Sequence, residues 1–202
     1  MITIETMMSI EKGDLPEAAR KINQDDILQL IEWLSLKEDA VRYQSFLLLQ
    51  SRSQFFDDVY SFWNTFRDKL KSDNSYQRSL GLMLIAENVK WDSEGRMETA
   101  IDDYLELLND EKPITIRQCI QSLDKIVTHK PGLYAKIADR LVSFDFSCVK
   151  ETMRKLIWID IINTLLSVRK VLKTDAIESF IRIALSSQIL DKKFKKQIES
   201  LL

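Results

Sequence analysis

The stretch Ala100–Arg117, AIDDYLELLNDEKPITIR, constrains the fold more than any other part of the chain. Ile101, Leu105 and Leu108 fall at i, i+4 and i+7, one stripe of a helix. Asn109-Asp110-Glu111-Lys112-Pro113 then breaks the period. Asn and Asp favour turns because their side chains bond nearby backbone groups. Pro113 cannot sit inside a helix but suits a first turn, where its missing N–H is not needed. Ile116, Ile120, Leu123 and Ile126 restart the helical period. A short polar link between two apolar-striped helices predicts an antiparallel pair.

The same pattern returns with an arginine as its marker. Val41-Arg42, Gln77-Arg78, Ile116-Arg117 and Met153-Arg154 follow one another at offsets of 36, 39 and 37 residues. Each Arg lies in the first turns of an expected helix that follows a polar turn. A nearly constant period of about 35–45 residues with two helices per unit signals an α-solenoid. On these residues the chain resembles HEAT-repeat proteins, over roughly residues 24–200. The third unit carries the likeness best, with Leu105, Leu107, Leu108, Asp110, Pro113 and Ile116-Arg117. The fourth departs from it, because Asp160 stands where the other units have Leu48, Leu84 and Leu123. The resemblance implies an all-α, right-handed superhelix of about five antiparallel hairpins, similar to armadillo-type arrays, that binds other macromolecules. As a single domain the expected division is a cap at residues 1–22 and hairpins at 24–52, 54–89, 97–128, 131–169 and 173–202. In the cap, Asp14 is expected to start a helix, with Pro16 in its first turn and Glu17 at the capping-box position.

Composition agrees with a packed helical chain. It is 45% hydrophobic over 202 residues, with four Gly and three Pro, which disfavours β-rich and disordered readings. Gly81, inside the apolar run Leu80–Ile85, costs about 1 kcal/mol relative to Ala, a cost that close helix approach would offset. Val59, Phe62, Trp63, Phe66 and Leu70 form an aromatic stripe, read as core. Trp91 is expected to cover the end of the preceding helix, with an exposed position as the alternative. The N-terminus lacks a basic segment followed by an apolar run, and the longest apolar run, Leu156–Leu166, contains Asp160 and Asn163. The expectation is therefore a cytoplasmic protein with no membrane partner. Cys119 and Cys148 are expected to be reduced and packed, although sequence alone leaves a disulfide open.

Net charge is −2, but unevenly spread. Residues 1–110 carry 21 Asp and Glu against 12 Lys and Arg, and residues 111–202 carry 10 against 17. In a solenoid this would make an electrostatic dipole, with ends that could meet different partners or each other.

The chain has no glycine-rich phosphate loop, no H-E-x-x-H, no paired C-x-x-C and no G-x-S-x-G. His129, the single histidine, sits in a link where a cation suits a helix C-terminus. No catalytic residue, metal or cofactor is expected. The leading reading is a non-enzymatic scaffold that binds a protein partner on the exposed faces of the second helices, Arg42–Ser53, Arg78–Asn88, Arg117–Thr128 and Arg154–Arg169. Lys192, Lys193, Lys195 and Lys196 are candidates for contact with an anion or a partner. Asp160, expected to pair with Arg117 or Arg182, and Trp158 are residues to watch. The alternative is nucleic-acid binding. The chain looks a little like HEAT-like DNA alkylation-repair glycosylases, with Trp91-Asp92-Ser93 or Trp158 and Asp160 as the residues available for that role, but a backbone-tracking groove should be basic.

Overall fold

The computed structural model describes residues 1–202, and every regular element in it is helical. In chain order the α-helices are α1 (Ile4–Met8), α2 (Leu15–Lys21), α3 (Gln24–Trp33), α4 (Asp39–Ser53), α5 (Trp63–Lys69) and α6 (Ser75–Asn88). They continue with α7 (Arg96–Glu106), α8 (Pro113–His129), α9 (Tyr134–Val142), α10 (Glu151–Arg169), α11 (Asp175–Ser186) and α12 (Lys192–Glu199). Contacts group the chain into two compact units, Met1–Ala100 and Ile101–Leu202. None of the helices is long and apolar enough to cross a membrane.

In Met1–Ala100, α3 packs on α4 and α5 on α6, while α4 also meets α1, α2 and α6. Ile27 and Leu30 of α3, Phe46, Leu48 and Leu49 of α4, and Leu80, Leu84 and Ile85 of α6 are buried. The expected aromatic stripe is core at Val59, Trp63, Phe66 and Leu70. Its helix is interrupted, because a 3-10 turn at Asp58–Phe62 precedes α5. Arg52 explains the turn. At the end of α4 its guanidinium donates to Asp58, with 2.7 Å from Nη2 to Oδ2, and to the carbonyls of Ala19 and Arg20 at the end of α2. A Cβ on Gly81 would lie 2.5 Å from the Phe66 carbonyl oxygen and 2.9 Å from Lys69 Cβ, so α6 meets α5 more closely than any side chain would allow.

The starts of the helices differ from expectation in one respect. Asp14 holds the N-cap position of α2 and Pro16 lies in its first turn, but the Asp14 side chain makes no cap bond. The reciprocal capping box is at α3, where Asn23 accepts from Asp26 N and the Asp26 carboxylate accepts from Asn23 N. Trp91 covers the end of α4 rather than that of α6, the helix that precedes it, because its indole N–H reaches back to donate to the Ser53 carbonyl at 2.8 Å.

In Ile101–Leu202, α8 packs along α10, and α9 packs on both α10 and α11. Cys119 is buried in this core. Cys148 is exposed rather than packed, because it sits on a 3-10 turn between α9 and α10, and both thiols are free.

The marker arginines share a task that spacing alone did not show. Arg42 Nη1 donates to the Leu36 carbonyl, Arg78 Nη1 to the Ser72 and Asp73 carbonyls, and Arg154 Nε to the Val149 carbonyl. Each clamps the main chain of the link that precedes its own helix. Arg42 also pairs with Asp39, the first residue of its own helix. Arg117 departs from the pattern and reaches Asp160.

Candidate functional site

In Ile101–Leu202 a groove lies where α8 and α10 run side by side. Both helices turn their apolar faces inward, through Ile116, Ile120 and Leu123 on α8 and Ile157, Ile161 and Leu165 on α10. The opposite residues, Gln121 and Asp124 of α8 and Asn163 and Ser167 of α10, line a groove of about 620 Å³. That volume falls within the range of small-molecule and peptide-side-chain pockets.

The two helices are stitched together across the groove by polar bonds. Asp160 is buried, 6% exposed, and its charge is matched. Arg117 Nε donates to Oδ2 at 2.6 Å and Arg117 Nη2 to Oδ1 at 3.3 Å. Gln121 Nε2 donates to Oδ1 at 3.0 Å. Thr164 Oγ1 donates to the Ile120 carbonyl at 3.2 Å, and Ser167 Oγ to Asp124 Oδ1 at 2.6 Å. These pairs are 39 to 44 residues apart, close to one period of the sequence pattern. A carboxylate at a leucine register is tolerated because a charge-assisted fork and an amide satisfy both of its oxygens.

One end of the groove is cationic, with Arg169, Lys170 and Lys173 on its wall and Leu166 and Leu201 as apolar neighbours. Arg169 is held in place by Glu178, with Nε to Oε1 at 2.6 Å, and its Nη1 reaches the Leu202 carbonyl at 3.4 Å. The Arg169 hydrogen bond holds the Glu178 carboxyl below its ordinary range. Lys170 and Lys173 are exposed.

Of the two arginines weighed as partners of Asp160, Arg117 makes the pair. Trp158 is not part of the groove. Two residues apart on a helix means about 200° of rotation, so Trp158 and Asp160 face opposite sides of α10. Trp158 is stacked between Phe146 and Phe180, with ring centroids at 4.5 and 4.6 Å. Trp91 and Asp92 are likewise engaged in structure. Asp92 accepts from the Tyr60 hydroxyl at 2.7 Å and from the N–H groups of Arg96 and Met97 at the start of α7.

The four C-terminal lysines all lie on α12. Lys192, Lys193 and Lys196 are exposed, whereas Lys195 Nζ turns back to the Ser187 carbonyl at 2.5 Å. The α12 N-cap, Asp191, accepts from Phe194 N at 2.9 Å and pairs with Lys155 at 3.0 Å, and these bonds hold its carboxyl below the ordinary range. No group of three or more His, Cys, Asp and Glu residues is arranged to hold a metal ion.

Gln121, Asn163, Ser167, Lys170 and Lys173 were not singled out by sequence reasoning. The signal that finds them is register. Gln121, Asn163 and Ser167 occupy the faces opposite the buried stripes of two helices that lie one period apart, and Lys170 and Lys173 follow the end of α10. The chain matches no protein-family model, no curated protein and no solved structure.

Proposed function

We propose that the chain is a non-enzymatic binding module of the HEAT-like α-solenoid type, and that a protein partner docks along the α8–α10 groove. The observation that carries this reading is the groove itself, an open polar surface on second helices whose carboxylates are already engaged by structural partners. Asp160 is held by Arg117 and Gln121, and Asp124 by Ser167, which suits docking better than proton transfer. The architecture has its own support within each unit. Short links join packed neighbours α3–α4 and α5–α6, and helices two apart in sequence also pack, α4 on α6, α8 on α10 and α9 on α11. Packing between neighbouring repeats is the hallmark of stacked hairpins.

The polar groups of the groove suit a peptide segment, with main-chain groups for Asn163 and Gln121 and an acidic residue for Lys170 and Lys173. The test is affinity capture with the full chain, with and without nuclease, comparing the parent with Asn163→Arg and with Lys170→Glu/Lys173→Glu. A discrete protein held through nuclease treatment by the parent and lost by both variants supports the reading. Capture indifferent to both variants, or nucleic acid recovered in place of protein, overturns it.

A further inference from the structure

A second polar cavity, of about 510 Å³, lies in Met1–Ala100, where the α3–α4 and α5–α6 links come together. Lys37, Arg42 and Lys69 line it, against one lining carboxylate, Asp68. Neutral hydrogen-bonding groups, among them Ser72 and Asn74, complete the wall.

Lys69 is the unusual member. It is half-buried, and its ammonium meets neutral oxygens, Gln77 Oε1 at 2.5 Å and Ser35 Oγ at 3.3 Å. No carboxylate lies within ion-pair distance of it. Gln77 is locked in that orientation because its amide nitrogen donates to the Leu34 carbonyl at 2.7 Å. The Arg42 guanidinium adds a second positive charge to the same cavity. Burial and the Arg42 guanidinium together push the Lys69 ammonium below its ordinary pKa. Arg42 is itself largely buried, lies over the Tyr76 ring at 4.2 Å, and keeps its Nε without an acceptor. Its carboxylate partner, Asp39, is exposed at the surface. The N-terminal end of α6, capped by Asn74, adds its positive end to the same wall.

Two neighbouring cations on a polar cavity, one of them with no counter-charge, are a cost that a bound anion removes. A tetrahedral oxyanion suits the site better than a planar carboxylate. It brings up to two negative charges and several acceptor oxygens to a wall with ammonium, hydroxyl and amide donors. We propose that this cavity binds a phosphate-type oxyanion, with Lys69 as its principal ligand, Arg42 as the charge behind it and Lys37 at the rim.

The test is titration of the full isotope-labelled chain with inorganic phosphate at constant ionic strength, followed by amide NMR. The expected result is saturable shifts centred on residues 34–42 and 69–78, and weakening by about tenfold in Lys69→Gln, the size of one charge-assisted bond. Lys37→Gln, a change at an exposed position, is expected to weaken binding by a smaller factor and keeps the site testable should Lys69→Gln fail to fold. Phosphoserine peptide run beside free phosphate identifies the source, since tighter binding of the peptide points to a phosphorylated polypeptide and tighter binding of phosphate to the free ion. Shifts that do not saturate, shifts the same in Lys69→Gln as in the parent, or acetate binding as tightly as phosphate would overturn the assignment.

Discussion

Gly81 shows how a local preference and a tertiary contact can oppose each other at one position. Alanine would favour the α6 helix by about 1 kcal/mol, but its methyl would lie 2.5 Å from the Phe66 carbonyl oxygen, on backbone that cannot step aside. Overpacking of this kind costs about 1–3 kcal/mol. Gly81→Ala is therefore expected to lower stability by about 1–2 kcal/mol, read as a fall in the thermal midpoint, where an unconstrained helix glycine would show a rise. The two cysteines differ in the same residue-level way. Burial pushes the Cys119 thiol well above its ordinary pKa and closes access to it. A thiol reagent at neutral pH is expected to label Cys148 in the folded chain and to reach Cys119 after denaturation, with mass spectrometry of the labelled peptides as the check.

At the scale of helices, Asp160 and Arg117 form a unit that joins α8 to α10. Asp160→Leu supplies the residue type that stands at the matching sequence register at Leu48, Leu84 and Leu123 but strands the Arg117 charge. Removing one partner of a buried pair costs about 3–5 kcal/mol, whereas replacing both by apolar groups is often neutral or stabilising. Asp160→Leu alone is thus expected to destabilise, and Arg117→Leu/Asp160→Leu to recover most of the loss, as a double-mutant cycle in urea would show. The Arg169–Glu178 pair links α10 to α11 and carries a pH signature. The Glu178 carboxyl titrates below its ordinary value of 4.5 in the folded chain. Its contribution is therefore present above that value and is lost as pH falls through the lowered folded pKa. A carboxyl NMR titration checks this, and Arg169→Gln should return Glu178 towards 4.5.

Much at this scale was legible from periodicity. The polar link before Pro113, the apolar stripes and the aromatic core of α5 follow from one residue's spacing to the next. The break at Asp58–Phe62 did not, because it depends on Arg52 meeting carbonyls 32 and 33 residues earlier in the chain. The groove was half legible. Its anomalous acid stood out as a polar residue at a leucine register, but the neutral residues around it look like any solvated helix face until α8 and α10 are set side by side.

For the molecule as a whole, the division into units softens the charge asymmetry seen along the sequence. Met1–Ala100 carries 17 Asp and Glu against 12 Lys and Arg, and Ile101–Leu202 carries 14 against 17. The four acids of 101–110 fall with the basic unit and dilute it. Charges of this size are screened readily. Any association of copies driven by them should disappear between about 0.01 and 0.15 M salt, as the Debye length shrinks from about 30 to 8 Å. Sedimentation velocity across that range checks it, and an oligomer that persists in high salt would mean an apolar interface. The arginine clamps carry one more consequence. Arg42, Arg78 and Arg154 bond to main-chain carbonyls of the preceding links, groups that every residue type supplies. The anchoring therefore asks nothing of the link side chains and everything of the arginines, and a saturation-mutagenesis map of folding should show permissive links beside intolerant arginines.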